Sequence, residues 1–161
     1  MIRTYQAEDK DYIINSHYEI FNKEQQYDLS FKDFIAEKVN SIIQRADERE
    51  CIWILESEGK NSGSICIQKA DDVTAQLGLF LIEPDARGGG FGKQLVQTAI
   101  AFSREKDYKS IILYTNDKLA SARGIYQKHG FQLKETKTIH VSNQELQEEC
   151  WELPLTLQNS I

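Results

Sequence analysis

The chain is 161 residues long, enough for one domain or for one with a small appendage, and 40% hydrophobic with 10% aromatic residues can build a sizeable core. Nineteen lysines and arginines stand against 25 aspartates and glutamates, a net charge of −6, so the sequence advertises no positive field for a nucleic-acid backbone. The longest apolar stretches, Cys51 to Leu55 and Leu77 to Ile82, are far short of the roughly 20 residues that cross a bilayer, and neither nucleic acid nor membrane is an expected partner.

Arg3, Glu8, Asp9, Lys10 and Asp11 stand where a signal peptide would carry its apolar segment, which points to a cytoplasmic location. Residues 2 to 5 read as a short strand. Ile13, Ile14, His17, Tyr18 and Phe21 then recur at helical spacing and place His17 on a buried face, as a core or rim histidine with no nucleophile beside it. A second helix is predicted to start at Ser30, whose hydroxyl can cap, with Phe31, Phe34, Ile35, Val39, Ile42 and Ile43 as its apolar stripe. From Glu50 the period changes. Cys51 to Leu55, the turn Glu58-Gly59-Lys60-Asn61 and Gly63 to Ile67 predict a hairpin, and after Asp71-Asp72 a long apolar strand runs from Val73 to Ile82. The three cysteines, Cys51, Cys66 and Cys150, are odd in number and widely separated, and read as free structural thiols.

Pro84 ends the long strand and is followed by Arg87-Gly88-Gly89-Gly90-Phe91-Gly92-Lys93, a glycine-rich turn that delivers the chain to a helix N-terminus. Consecutive N–H groups without side chains form an anion-binding concavity, and the helix end adds partial positive charge, so a phosphate or diphosphate is the natural guest. Neither common nucleotide fingerprint fits. A P-loop needs Gly at 87 and Ser or Thr at 94, where this chain has Arg87 and Gln94, and the Gly-x-Gly-x-x-Gly spacing from Gly88 meets Lys93. Phe91, Leu95, Ala99 and Phe102 mark a helix to about Lys106, Ile111 to Thr115 a buried strand, and Lys118 to His129 a helix stopped by Gly130. Phe131 to Val141 and Cys150 to Leu155 suit a closing hairpin. The order predicts an α/β fold, one unit over residues 1–161 with a mixed sheet covered by helices.

Arg87-Gly-Gly-Gly-Phe-Gly92 resembles the Arg/Gln-x-x-Gly-x-Gly/Ala motif of the GNAT N-acetyltransferases, and Ala122-x-x-x-Tyr126-x-x-x-Gly130-Phe131 resembles the family's Ala-x-x-x-Tyr-x-x-x-Gly-Phe pattern. Thr115-Asn116-Asp117, His140 and Trp151-Glu152-Leu153 resemble the acetyltransferase half of bacterial MarR-GNAT fusion proteins, of which this chain looks like a free-standing version. The resemblance implies a single-domain acyl-CoA N-acyltransferase fold, a mixed, mostly antiparallel sheet of about seven strands flanked by helices on both faces. It implies direct transfer of acetyl from acetyl-CoA to a primary amine of a small molecule, amino acid or peptide, with no metal; a two-fold homodimer is the ordinary prior. A non-catalytic acyl-CoA sensor or partner-binding module of the same fold is the alternative.

By the same resemblance Arg87, Gly88, Gly89, Gly90, Phe91, Gly92 and Lys93 belong to the coenzyme A diphosphate. The pantetheine arm pairs with main-chain groups of Phe80, Leu81 and Ile82, which also polarise the thioester carbonyl and stabilise the oxyanion. Tyr126 is the expected general acid toward the departing thiolate. Leu119 stands where many relatives have an asparagine on the pantetheine, and Asn116 is the candidate substitute. The long strand lacks a mid-strand glutamate, so Glu83, His140 and Glu145 are the substrate-side candidates, with a water relay to bulk as the other route for the amine proton.

Overall fold

The computed structural model describes residues 1–155, and the last six residues of the 1–161 unit lie outside the described residues. The chain runs through β1 (Ile2–Thr4), α1 (Lys10–Gln25), α2 (Leu29–Arg45), β2 (Cys51–Ser57), β3 (Lys60–Lys69), β4 (Thr74–Ile82), α3 (Phe91–Glu105), β5 (Ser110–Asn116), α4 (Ala120–Lys128), β6 (Gln132–Val141) and β7 (Gln144–Pro154). The seven strands form one sheet in the order β1-β2-β3-β4-β5-β7-β6. Only β4 and β5 run parallel; the other neighbours are antiparallel.

Alternation along the strands sorts the apolar side chains onto two faces. Trp53, Leu55, Ile65 and Ile67 pack with Leu95, Val96 and Ala99 of α3 and Tyr126 of α4, whereas Ile52, Ile54 and Cys66 pack with Ile13 of α1 and Ile35, Val39 and Ile42 of α2. Helices therefore cover both faces of the mixed sheet, as the α/β reading expects. All three cysteines are free, Cys66 fully buried and the other two partly so.

The element bounds differ from the sequence reading for local physical reasons. The α2 cap is Asp28 rather than Ser30: its carboxylate accepts from the Ser30 N–H (3.0 Å) and from the Ser30 hydroxyl, and a carboxylate one residue before the first helical position outcompetes a hydroxyl inside the turn. The first hairpin turns on two residues only, Glu58 and Gly59, both at positive φ (53° and 78°), so Lys60 and Asn61 belong to β3. Helix α4 starts at Ala120, because Asn116 Oδ1 takes the Lys118 N–H (2.9 Å) in a side-chain-mediated turn. β7 begins at Gln144, six residues before the apolar segment that suggested it, since its first half hides a buried Leu146 and a buried, ion-paired Glu149 among polar neighbours.

Two irregularities of β4 open a gap in the sheet and aim side chains into it. Its pairing with β5 stops after Gln76 opposite Ile112, so Leu77–Ile82 and Leu113–Asn116 diverge and β4 faces the gap with an unpaired main-chain edge. Its pairing with β3 shifts between Ser64 and Cys66, and the extra residue is Leu79, held at a left-handed φ of 49° with its carbonyl accepting from the Ser64 hydroxyl (2.6 Å). The bulge reverses the alternation: Ala75 and Leu77 join the α3 side, Leu79 joins the α1–α2 side, and Phe80 and Ile82 return to the α3 side.

Candidate active site

A groove of about 970 Å³ lies in the gap between β4 and β5. One arm is bounded by the diverging end of β4, the glycine turn and the start of α4; the other by α1, α2 and the tip of the β6–β7 hairpin.

In the first arm the chain leaves β4 through a short turn at Pro84–Ala86 and enters α3 at Phe91. Gly88 and Gly90 adopt φ of 87° and 83°, and a Cβ on either would meet no atom within 4 Å, so the turn is both glycine-dependent and open in front. None of the N–H groups from Gly88 to Lys93 has a partner among the described residues, and the first that bonds is Gln94, to Gly90 O at 3.2 Å. A run of unpaired donors at a helix start makes a cradle that suits an anion. Gly92 serves packing instead: a Cβ there would lie 2.9 Å from Ile125 Cδ1, so it sets how closely α3 approaches α4. Arg87 borders the cradle and is anchored, with Nε on Ile82 O (3.1 Å) and both terminal nitrogens on the Glu24 carboxylate (3.1 Å each). It ties the turn to the last part of α1 and leaves Lys93 and Lys118 as further cations on the groove wall.

Phe80, Leu81 and Ile82 form the wall beyond the bulge; the main-chain groups of Leu81 are taken by Ser64 of β3, contrary to the expectation for that residue, which leaves those of Phe80 and Ile82 toward the unpaired edge. Tyr126 reaches the groove from α4, its ring wedged between Phe80 (5.9 Å between centroids) and Phe131 (5.8 Å). Burial pushes its phenol above the ordinary tyrosine value, and its hydroxyl bonds to no described residue. Burial thus favours the neutral, protonated phenol on the groove wall. Asn116 also lines the groove, but its amide is occupied: Nδ2 donates to the Tyr27 hydroxyl (3.0 Å) and Oδ1 holds Lys118 N–H.

The structure does not bring the three substrate-side candidates into the groove. Glu83 turns toward α1 and accepts from the Tyr12 hydroxyl (2.8 Å), which raises that phenol's pKa further beyond the effect of its burial. His140 and Glu145 face each other across the hairpin (3.5 Å) with side chains 74% and 66% exposed. Two carboxylates line the groove, Glu24, which is held by Arg87, and Glu148, opposite Asn116 on β7 and beside Lys137 (3.6 Å). In the sequence Glu148 stands among Glu145, Glu149 and Glu152, and nothing local singles it out. The groove also takes in His17, Tyr27 and Lys38, which no motif marks; the spacing Tyr27-x-x-x-Phe31-x-x-Phe34, with Phe34 59% exposed, was the available signal. Among the described residues no cluster of three His, Cys, Asp or Glu could hold a metal, and no helix is long and apolar enough to cross a membrane.

The profile of the Acetyltransferase (GNAT) family matches residues 11–131. Among curated proteins the chain is similar to N-acetyltransferase 8B of Homo sapiens, 34% identical over 96 residues, covering 56% of this chain and 42% of that protein. It is similar also to Probable N-acetyltransferase camello of Xenopus tropicalis, 30% identical over 52% of this chain and 39% of that protein; the chain thus spans about two fifths of the length of these relatives. Among solved structures it superposes on an N-acetyltransferase from Staphylococcus aureus Mu50 with TM-score 0.80 and 20% identity over 96% of this chain and 97% of that one. It also matches yncA from Salmonella typhimurium, solved with its cofactor acetyl-CoA, with TM-score 0.75 and 16% identity over 98% and 94%.

Proposed function

Because this chain belongs to the GNAT acetyltransferase family, we propose that it transfers acetyl from acetyl-CoA directly to a primary amine, with both substrates held at once in the groove between β4 and β5. The observation that carries the reading is the unpaired donor run Gly88–Lys93 beside the free edge of β4, with Tyr126 on the same groove wall next to Phe80. Acetyl-CoA fits that path as a diphosphate on the turn and an extended amide arm along the strand, and it supplies the activated thioester. The main-chain N–H of Phe80, on the free edge, polarises the thioester carbonyl, a role worth about 3 kcal/mol per donor where such donors have been removed. The free amine forms the new C–N bond, the C–S bond breaks, and the departing sulfur takes its proton from the Tyr126 hydroxyl. Glu148, on the acceptor arm, attracts the cationic amine, whose proton leaves to it or through water to bulk.

At the finer level, the segments Thr115-Asn116-Asp117 and Trp151-Glu152-Leu153 support a relation to the catalytic half of the MarR-GNAT fusions, and a cytoplasmic two-fold dimer is part of the proposal. The test is coenzyme A thiol release from acetyl-CoA across a panel of amines, amino acids and peptides. Turnover with at least one amine is expected. Bound acetyl-CoA without thiol release from any amine would sink the enzymatic reading in favour of an acyl-CoA sensor, for which Leu119 on the groove wall in place of a pantetheine-binding amide already speaks.

A further inference from the structure

Once coenzyme A is assigned to the glycine turn and the β4 edge, the second arm remains for the acceptor, and its chemistry is specific. Phe21, Tyr27, Phe31 and Phe34 form a continuous aromatic wall, with ring centroids 4.9 Å apart for Phe21–Phe31 and Tyr27–Phe31 and 6.2 Å for Phe31–Phe34. Phe34 stays largely exposed where the groove opens, with the Lys38 ammonium 6.0 Å from its ring centroid. Into this arm α2 sends Lys38. Its ammonium lies over Gly78 on β4, filling the space of the missing side chain: a Cβ there would be 2.6 Å from Nζ and 3.1 Å from Cε. Arg87, Arg123 and Lys137 beside the groove are neutralised by Glu24, Glu149 and Glu148, whereas Lys38 has neither an ion pair nor a hydrogen bond among the described residues.

Behind the wall lies His17, 2% exposed, with Nδ1 2.8 Å from Ile13 O and its ring also beside the Leu79 main-chain carbonyl. Burial disfavours a second proton on this imidazole, and the nearby charge of Lys38 disfavours it further. The arm therefore offers a cation without its anion, the Glu148 carboxylate and an aromatic wall. A simple alkylamine leaves Lys38 uncompensated, and a polyamine is repelled by it.

We infer that the acceptor is a primary amine that also carries a carboxylate and an apolar body of about aromatic size, in the manner of an apolar α-amino acid: the carboxylate sits on Lys38, the nitrogen faces Glu148, and the body lies on the Phe31–Phe34 wall. This rests on the acetyltransferase reading and adds the substrate class. The experiment compares L-phenylalanine with phenethylamine, which differ only in the carboxylate, and with L-alanine, which lacks the ring, using coenzyme A thiol release by the wild type, Lys38→Met and Gly78→Ala. Phenylalanine is expected to exceed each of the other two by about tenfold or more in kcat/KM, the scale of one charge-assisted contact. Lys38→Met should erase the preference over phenethylamine while keeping that over alanine, and Gly78→Ala, which displaces only the flexible end of Lys38, should weaken it in the same direction.

Calorimetric titration of the coenzyme A-loaded protein with N-acetyl-L-phenylalanine and with N-phenethylacetamide reads the same subsite without turnover. Lys38-dependent binding of the acid alone supports the inference even if the chain proves to be a sensor. Equal rates for phenylalanine and phenethylamine, equal binding of their acetyl products, or a preference unchanged in Lys38→Met overturns it while leaving acetyl transfer standing.

Discussion

Two side chains of the groove can be read by single substitutions. Tyr126 is packed on both sides by aromatic rings, so Tyr126→Phe removes one hydroxyl and leaves the packing intact. If that hydroxyl protonates the leaving sulfur, kcat should fall about tenfold or more with acetyl-CoA affinity unchanged; an unaltered kcat in a thiol-release assay would make Tyr126 a packing residue. His17 makes a prediction about acid. Burial pushes its imidazole down to about 4, so between pH 6.5 and 4 the unfolded chain binds a proton that the folded chain refuses, and stability falls as pH falls through that window. From this group alone the loss is about 2 kcal/mol by pH 5 and is absent above about pH 7. Urea unfolding at pH 7 and pH 5 should show a smaller acid loss in His17→Phe than in the wild type, and equal losses would mean that the imidazole is already charged or solvated in the fold.

At the level of elements, most of the order of strands and helices was legible, because the apolar periods of α1, α2, β2–β4, α3 and β5 are strong and each ends in turn chemistry. The glycine turn and Tyr126 were legible as a motif. What escaped depends on tertiary partners. The bulge at Leu79 has no local signature, since leucine is a poor residue for a left-handed φ and only the β3 register and the Ser64 hydroxyl impose it. Glu149 reads as surface charge, yet it is 3% exposed and held by both Arg123 nitrogens (2.9 and 3.0 Å) and by the Trp151 indole N–H (3.0 Å). That triad fastens α4, and with it Tyr126, to β7. Arg123→Met should therefore strand a buried carboxylate and cost about 2 kcal/mol, a value reduced because the arginine is partly exposed, while Arg123→Lys should cost less. Chemical denaturation measures the stability. A drop in kcat that follows the stability loss would place α4 docking upstream of Tyr126 positioning; full stability in Arg123→Met would show that the pair carries no weight.

The whole molecule is a sheet nearly divided in two. β1–β4 with α1 and α2 form one half, β5–β7 the other, and the direct seam between them is the three-residue parallel pairing of Thr74–Gln76 with Ser110–Ile112, supported from one side by α3. A ligand lying along Leu77–Ile82 and ending on the glycine turn completes the open edge of one half where it faces the other, and so acts on global stability as well as on chemistry. A ligand present at about 100 times its Kd adds about 2.7 kcal/mol to unfolding, which for a chain of this size raises Tm by roughly 5–10 °C. Acetyl-CoA should produce a rise of that order, with slowed amide exchange concentrated in Leu77–Ile82 and Gly88–Lys93. Gly90→Glu tests where the ligand sits. Gly90 holds a φ of 83° in front of open space, so the substitution strains the turn and projects a carboxylate into the cradle, where it repels a diphosphate. The variant should melt somewhat below the wild type and show no rise with acetyl-CoA at the same concentrations. A full rise in Gly90→Glu, or exchange protection confined to the acceptor arm, would move the coenzyme away from the turn and take the proposed mechanism with it.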